Sequence, residues 1–271
     1  MSPRQIIRGT PIAAAAPRKG AMRIVDIPKT TLEQLNRGEL EAVTLVEMLS
    51  IHHGKLLRAV APDAPRKLHQ AMDATMEVKI TERLRQAGRL LLEHFGLEEG
   101  FSRFCSHRSD TVRSWAAHLL GECDNLTINE RLARIAVLAD DPNPGTREWA
   151  WIALRKHIEA ELPQAIKLLT RWTQDRSPNI RRYASESTRP RGVWCSHLTA
   201  LKQNPALGLP ILEPLHQDDT KYVQDSVANW LNDASKSQPE FVREVCRDWL
   251  ARSPTKSTQR ICSRAMRSLN P

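Results

Sequence analysis

The residues best suited to chemistry in this chain are carboxylates set among arginines. Glu186 follows Arg182 by four positions and precedes Arg189 by three, so on a helix all three share one face. Pro190, in Arg189-Pro190-Arg191, ends any such helix. Glu148 shares a face with Trp151 and Arg155 by similar spacing. Asp225, Asn229 and Asp233 line one side of a stretch whose opposite side carries Val223, Val227, Trp230 and Leu231. Taken singly, each acid reads as the salt-bridge partner of a nearby arginine. Brought together, the same acids could stabilise a positive charge that develops on a bound molecule.

The elements that must position these side chains are helices. From Thr31 onward the apolar periodicity is helical, with Pro and Gly falling between periodic blocks, and no strand is predicted. Ala165, Leu168, Leu169 and Trp172 make one apolar stripe, and Val242, Val245, Cys246, Trp249 and Leu250 make another. Arg113, Arg147 and Arg181 are 34 residues apart, and each opens a similar phrase: Arg-Ser-Trp115-Ala, Arg-Glu-Trp149-Ala, Arg-Arg-Tyr183-Ala. Looser copies begin at Gln224 (Gln-Asp-Ser226-Val) and Gln259 (Gln-Arg-Ile261-Cys). Turns rich in Asp, Pro, Ser or Thr precede most copies. A helix-turn-helix unit at this period predicts an all-α fold, a curved α-solenoid of HEAT or armadillo-like repeats in which each unit buries its stripe against its neighbours. The expected organisation is a flexible basic arm over 1–30 and a repeat domain over 31–271. The repeat domain divides into an N-terminal helical block over 31–100, closed by the glycines near Gly96 and Gly100, and repeats over 101–271. Second helices of the repeats would line the concave face and meet any ligand.

The charge says what kind of ligand. Lys plus Arg number 40 against 31 Asp plus Glu, a formal charge of +9, and the sequence pI is 9.6. Arg171, Arg176, Arg181, Arg182, Arg189 and Arg191 crowd one segment, and Arg252, Lys256, Arg260, Arg264 and Arg267 another that holds no acid. Such concentration fits a polyanion, and phosphate contacts would fix position without reading sequence. The basic arm reads equally as a strand reaching along phosphates or a solubilising tail, with an organellar leader as a third option. Five cysteines at irregular spacing, without a CxxC pair, indicate neither a disulfide framework nor a zinc ribbon. The nine histidines include no metal-binding pattern, so neither metal nor cofactor is expected. No apolar run approaches the roughly 18 residues that span a bilayer. The expected protein is a cytoplasmic monomer with no membrane partner.

The block Ile180-Arg-Arg-Tyr-Ala-Ser-Glu-Ser-Thr-Arg-Pro-Arg-Gly-Val-Trp194, followed by Tyr222-Val-Gln-Asp-Ser-Val-Ala-Asn-Trp-Leu-Asn-Asp233, resembles the signature region of bacterial AlkC-type DNA glycosylases. These are HEAT-like-repeat enzymes that excise 3-methyladenine and related alkylated bases. Leu35-Asn-Arg-Gly-Glu-Leu-Glu, Thr44-Leu-Val-Glu and Ser109-Asp-Thr-Val-Arg-Ser-Trp-Ala resemble the family's N-terminal pieces, so the likeness runs from about Leu35 onward. It departs around Trp149 to His157 and at Gly192-Val193, which marks a divergent branch. The immunoglobulin-like β domain of some members is not expected up to Pro271.

The resemblance implies Glu186, Asp233 and Glu148 as the catalytic acids, and stacking of successive repeats would bring their carboxylates into one acidic notch. It implies a functional tryptophan at Trp194 and double-stranded DNA with alkylated bases as partner; Trp194, or Trp151, can lie against the deoxyribose or the lesion face. Arg113, Arg147, Arg181, Arg182, Arg189 and Arg191 are the expected DNA-binding arginines. It also implies cleavage without a base-flipping pocket. A base methylated at a ring nitrogen is already cationic and leaves neutral. Carboxylates are then needed at the sugar, where charge develops at C1′ and water must be oriented. The alternative is a non-catalytic HEAT-repeat scaffold binding nucleic acid or a protein partner through the same face.

Overall fold

The periodic blocks fold as helices that begin at the Thr, Ser and Pro residues between them. Thr44, Thr127, Ser177 and Thr255 each accept a backbone N–H of the helix that follows, and Thr127 with Glu130 completes a capping box. Pro163, Pro178 and Pro239 occupy first-turn positions, where a missing N–H costs nothing. In the computed structural model, which describes residues 18–269, fifteen α-helices and four short 3-10 turns account for all regular structure, with no strand among the described residues. No helix among those residues is long and apolar enough to cross a membrane.

The chain divides between Leu154 and Arg155 into two compact units. The first holds α1 (Lys29–Asn36), α2 (Leu45–Ser50), α3 (His53–Val60), α4 (Arg66–Ala74), α5 (Ile80–Phe104), α6 (Asp110–Glu122) and α7 (Ile128–Ala139), and the boundary falls within α8 (Pro144–Ala160). Helix α5 packs along α6 around Phe104, Trp115 and Leu119. Their axes come so close that a Cβ on Gly88 would lie 2.5 Å from the His118 backbone. Gly96, with φ +69°, interrupts α5 with a left-handed residue, so the glycine expected to close the N-terminal block breaks a helix that resumes and runs on to Phe104. Residues 1–17 of the expected basic arm lie outside the described residues. Beyond them, Arg18 donates to both Glu47 carboxylate oxygens at 2.6 and 2.7 Å, and Arg23 pairs with Asp26.

The second unit holds α9 (Leu162–Trp172), α10 (Pro178–Glu186), α11 (Thr199–Gln203), α12 (Leu209–Leu212), α13 (Lys221–Ser235), α14 (Pro239–Arg252) and α15 (Lys256–Ala265). Helix α13 packs against both α10 and α15, so the second helices of successive repeats lie side by side, with α9 and α14 as first helices of their pairs. Trp230 and Trp249 are wholly buried.

One contact recurs at the repeat period. The turn before each second helix leaves carbonyls without a helical partner, and a side chain one turn into that helix supplies donors. Arg113 Nη1 donates to the carbonyls of His107 and Arg108 at 2.7 and 2.9 Å, Arg147 Nη1 to those of Asp141 and Pro142 at 2.6 and 2.9 Å, and Arg181 Nη1 to those of Asp175 and Arg176 at 3.0 and 3.1 Å. Gln224 Nε2 reaches the Asp218 carbonyl and Gln259 Nε2 that of Pro254. The same turns are tightened from within, where Asp141, Asp175 and Asp218 each accept the N–H two residues on. Two of these acids also receive the arginine of the preceding repeat: Arg113 Nε lies 2.6 Å from Asp141 Oδ2, and Arg181 Nε lies 2.6 Å from Asp218 Oδ2.

This geometry corrects the phosphate role expected of Arg113. The Arg113 side chain is 0% exposed and is further bonded to Glu41, so it has no surface to offer a ligand. Arg147 and Arg181 direct the same donors into their own turns. Replacing Arg113 with Met would leave Asp141 buried without its cation, and Glu41 would lose its partner. A loss of about 3 to 5 kcal/mol is expected, the usual cost of removing one side of a buried pair, read as a lower urea midpoint and Tm. An unchanged midpoint would show that the ladder contributes nothing.

Candidate functional site

Glu186 is the last residue of α10, and the chain turns away through Ser187 and Thr188 to Arg189-Pro190. This turn is held from below by Arg155, itself buried, whose guanidinium donates to the carbonyls of Ser187, Arg189 and Ser196 at 2.8, 2.5 and 3.2 Å. Fixing three carbonyls of one irregular segment pins the loop that carries Trp194. Val193 and Trp194 at its tip are 76% and 41% exposed, unlike the other aromatic residues of the repeats.

Helix α13 brings Asp233 to the same place. Arg189 Nη1 donates to Glu186 Oε1 at 2.7 Å, and its Nε donates to Asp233 Oδ2 at 2.8 Å, so one guanidinium joins the two acids across 47 residues of sequence. Lys236 Nζ lies 3.4 Å from Asp233 Oδ1, and Arg182 Nη2 lies 3.5 Å from Glu186 Oε2. The second Glu186 oxygen accepts the Ser226 hydroxyl at 2.7 Å. Glu186, Asp233 and Ser226 are all buried. Burial pushes the Glu186 carboxyl up, but the Arg182 and Arg189 guanidiniums and the Ser226 hydroxyl outweigh it and hold the group below the usual carboxylate range. The acid is therefore an anion at neutral pH in a setting of low dielectric, where a fixed charge acts strongly on any cation beside it.

Other expected residues divide between the units. Arg182 lies with its guanidinium 4.5 Å from the centre of the Tyr222 ring, a cation–π contact. Arg191 donates to the Asp233 carbonyl at 3.2 Å and to the Ser237 hydroxyl at 2.6 Å, tying the loop to the end of α13. Farther along the polar side of α13, Asp225 pairs with Arg260 and Arg264 of α15, and Asn229 accepts from Arg267. Glu148 belongs to the first unit, where its carboxylate accepts Trp151 Nε1 at 2.9 Å. Trp151 is only 4% exposed, which corrects the expectation that it could lie against a sugar. Arg155, Ser226 and Lys236 enter the site without having been singled out by motif. The signal for Ser226 was present: the repeat phrase has Trp115, Trp149, Tyr183 and Ile261 at this position, and only this copy has a small polar residue.

Residues 99–188 match the HEAT repeats family, so this stretch is HEAT-repeat in class. Among solved structures the chain is similar to the Pseudomonas fluorescens alkylpurine DNA glycosylase AlkC, determined bound to DNA containing an abasic site analog. Identity is 24%, the TM-score is 0.66, and the match covers 88% of this chain and 64% of that one. AlkD2 from Streptococcus mutans is similar at 19% identity and a TM-score of 0.52, over 76% of this chain and 90% of that one. Over 117 residues, 43% of this chain, it is 40% identical to the uncharacterized protein YhaZ of Bacillus subtilis (strain 168), of whose length the match spans 32%. The chain thus spans about a third of that relative and under two thirds of AlkC. What these likenesses establish is the fold: an all-α, HEAT-like repeat architecture shared with AlkC and AlkD2.

The depressed Glu186 carboxyl has a consequence for stability. An acid held below its ordinary value, 4.5 for glutamate, stabilises the fold above that pH, and the contribution is lost as pH falls toward the folded value. Glu186→Gln is therefore expected to destabilise the chain at pH 7, with the difference from wild type narrowing below about pH 4.5 in urea melts. A difference independent of pH would contradict the ion pairing.

Proposed function

We propose that this chain binds duplex DNA and hydrolyses the N-glycosidic bond of cationic alkylated bases such as 3-methyladenine. The observation that carries the reading is the meeting of Glu186 and Asp233 on the Arg189 guanidinium. The likeness in fold to AlkC, which was solved on DNA, supports it. A cationic base needs little protonation to leave. The enzyme's task is to stabilise the cation that grows at C1′ and to deliver water to it. Two buried carboxylates are suited to this, one facing the sugar and the other accepting a proton from the water. In the chain alone Arg189 neutralises both. Bound DNA brings a phosphate that competes for this guanidinium, and its departure toward the backbone bares the acids to the sugar. Trp194, exposed at the loop tip, lies against the sugar or the lesion. Arg191 and the α15 arginines Arg260 and Arg264 take neighbouring phosphates. Glu148 is assigned as a third acid on the resemblance in sequence.

A second reading is favoured by one observation: Glu186 and Asp233 each already have cationic partners, as expected of a scaffold whose charges are purely structural. Charge removal without change of shape separates the two. Glu186→Gln and Asp233→Asn should each leave duplex affinity equal or slightly higher, since an anion facing phosphate is gone. Release of 3-methyladenine from alkylated DNA should fall on the order of a hundredfold or more, the size of losing one preorganised charged group. Wild type that binds DNA but releases no alkylated base, or variants with undiminished release, would leave the scaffold reading.

Duplex affinity itself should fall steeply with added salt, with the slope of several neutralised phosphates in a log–log plot. Arg191→Ala should weaken modified and unmodified duplex alike. A flat salt dependence would point to a protein partner.

A further inference from the structure

The two oxygens of Glu186 are held by different elements. Oε1 accepts from Arg189, a residue of the loop, while Oε2 accepts from Ser226, a residue of α13. The serine is buried, and its one hydroxyl proton goes to the carboxylate. Its oxygen lies 2.8 Å from the hydroxyl oxygen of Ser185, which must then be the donor in that pair, sharing its proton with the Arg182 carbonyl at 3.0 Å. The result is a buried relay, Ser185 to Ser226 to Glu186, directed at one oxygen of the acid. The other copies of the repeat phrase fill this position with the bulky Trp115, Trp149, Tyr183 and Ile261, so packing alone calls for a large side chain and not a serine.

Resting on the proposed glycosylase reading, we infer that Ser226 is a positioning residue for Glu186: by fixing Oε2 it keeps the carboxylate in place when Arg189 turns to a phosphate, and leaves Oε1 as the oxygen that faces the sugar. Without the serine, Oε2 would keep only the longer 3.5 Å ion pair with Arg182, which fixes its direction less than a hydrogen bond does. The hydroxyl, itself buried on α13 and backed by Ser185, is independent of the DNA. The charged and titratable groups around Glu186 are Arg182 and Arg189 from its own helix and the turn after it, the buried Arg155 of α8, Cys195 of the loop, and Asp233 of α13, joined to it through Arg189. Removing Ser226 alters none of these charges, so its effect on Glu186 is readable by itself.

The test uses the full chain labelled with 13C at the glutamate carboxyls, with the Glu186 resonance assigned by its loss in Glu186→Gln. In Ser226→Ala the Glu186 titration midpoint should move up, because a hydrogen bond to the ionised form has gone. Ser185→Ala, which touches Glu186 only through Ser226, should move it in the same direction by less, and serves if the first variant folds poorly. In parallel, Ser226→Ala should lower kcat for 3-methyladenine release on the order of tenfold, the loss of one hydrogen bond to a charged group, without changing duplex Kd. The acid limb of its kcat profile should move to higher pH, and in a Glu186→Gln background the same change should cause no further loss. An unmoved Glu186 midpoint in both serine variants, or a full additional loss in the Glu186→Gln background, would overturn the inference. A midpoint that moves in a protein releasing no base would sink the glycosylase reading while leaving the hold of Ser226 on Glu186 standing.

Discussion

The turn between the two helices of a repeat presents carbonyls that no helix can satisfy, and the whole architecture depends on how they are paired. In this chain the answer repeats at a fixed position: a long donor side chain, Arg113, Arg147, Arg181, Gln224 or Gln259, folds back onto the turn that precedes it. At Arg113 and Arg181 the remaining donors reach an aspartate in the next turn, which in turn caps its own backbone. One side chain thus closes its own repeat and fixes the next, and leaving such groups buried and unpaired would cost more than most single contacts return. The helices follow from this constraint, because their starting points are set by the turns.

Upon this ladder the second unit builds something a ladder does not require. Where α10 ends, Glu186 points into a buried setting and not toward solvent, and α13 supplies both a hydroxyl and a second carboxylate. Burying two anions is costly unless cations accompany them, and Arg189 and Arg182, with Lys236 at the edge, do so. The arrangement is stable with its charges matched. On the proposed function, a bound polyanion draws the guanidinium away, so the same arginine would preserve the fold in the free chain and release the acids on DNA. Arg155 completes the setting by holding the loop of Trp194, so that an aromatic surface stays exposed at its tip.

The sequence made the helical fold and the repeat period legible, because apolar stripes and turn residues act locally and recur. It also put Glu186, Arg182 and Arg189 on one face, since three and four residues is a helical neighbourhood. Its misreading was of meaning. Arg113, Arg147 and Arg181, whose 34-residue spacing marks the repeat, are also expected at DNA phosphates, yet a contact made alike in every repeat is what the repeat itself needs. Arg113 is accordingly buried. Departures from the period were the better guide to chemistry: Ser226 where other copies hold a large residue, and the proline-ended loop after Glu186. Arg155 carried no such mark, because its partners are backbone carbonyls of a segment more than thirty residues away.

The claim at the centre of this account is that Glu186 and Asp233 face a positive charge on the sugar of bound DNA. The most direct measurement compares two duplexes that differ at one nucleotide, one carrying a neutral tetrahydrofuran abasic sugar and the other a pyrrolidine sugar that is protonated at neutral pH. Wild type is expected to bind the cationic sugar more tightly, by at least about tenfold given how strongly enzymes favour mimics of their transition states, and Glu186→Gln is expected to lose that preference while still binding both duplexes. Equal affinity of wild type for the two sugars would contradict the account.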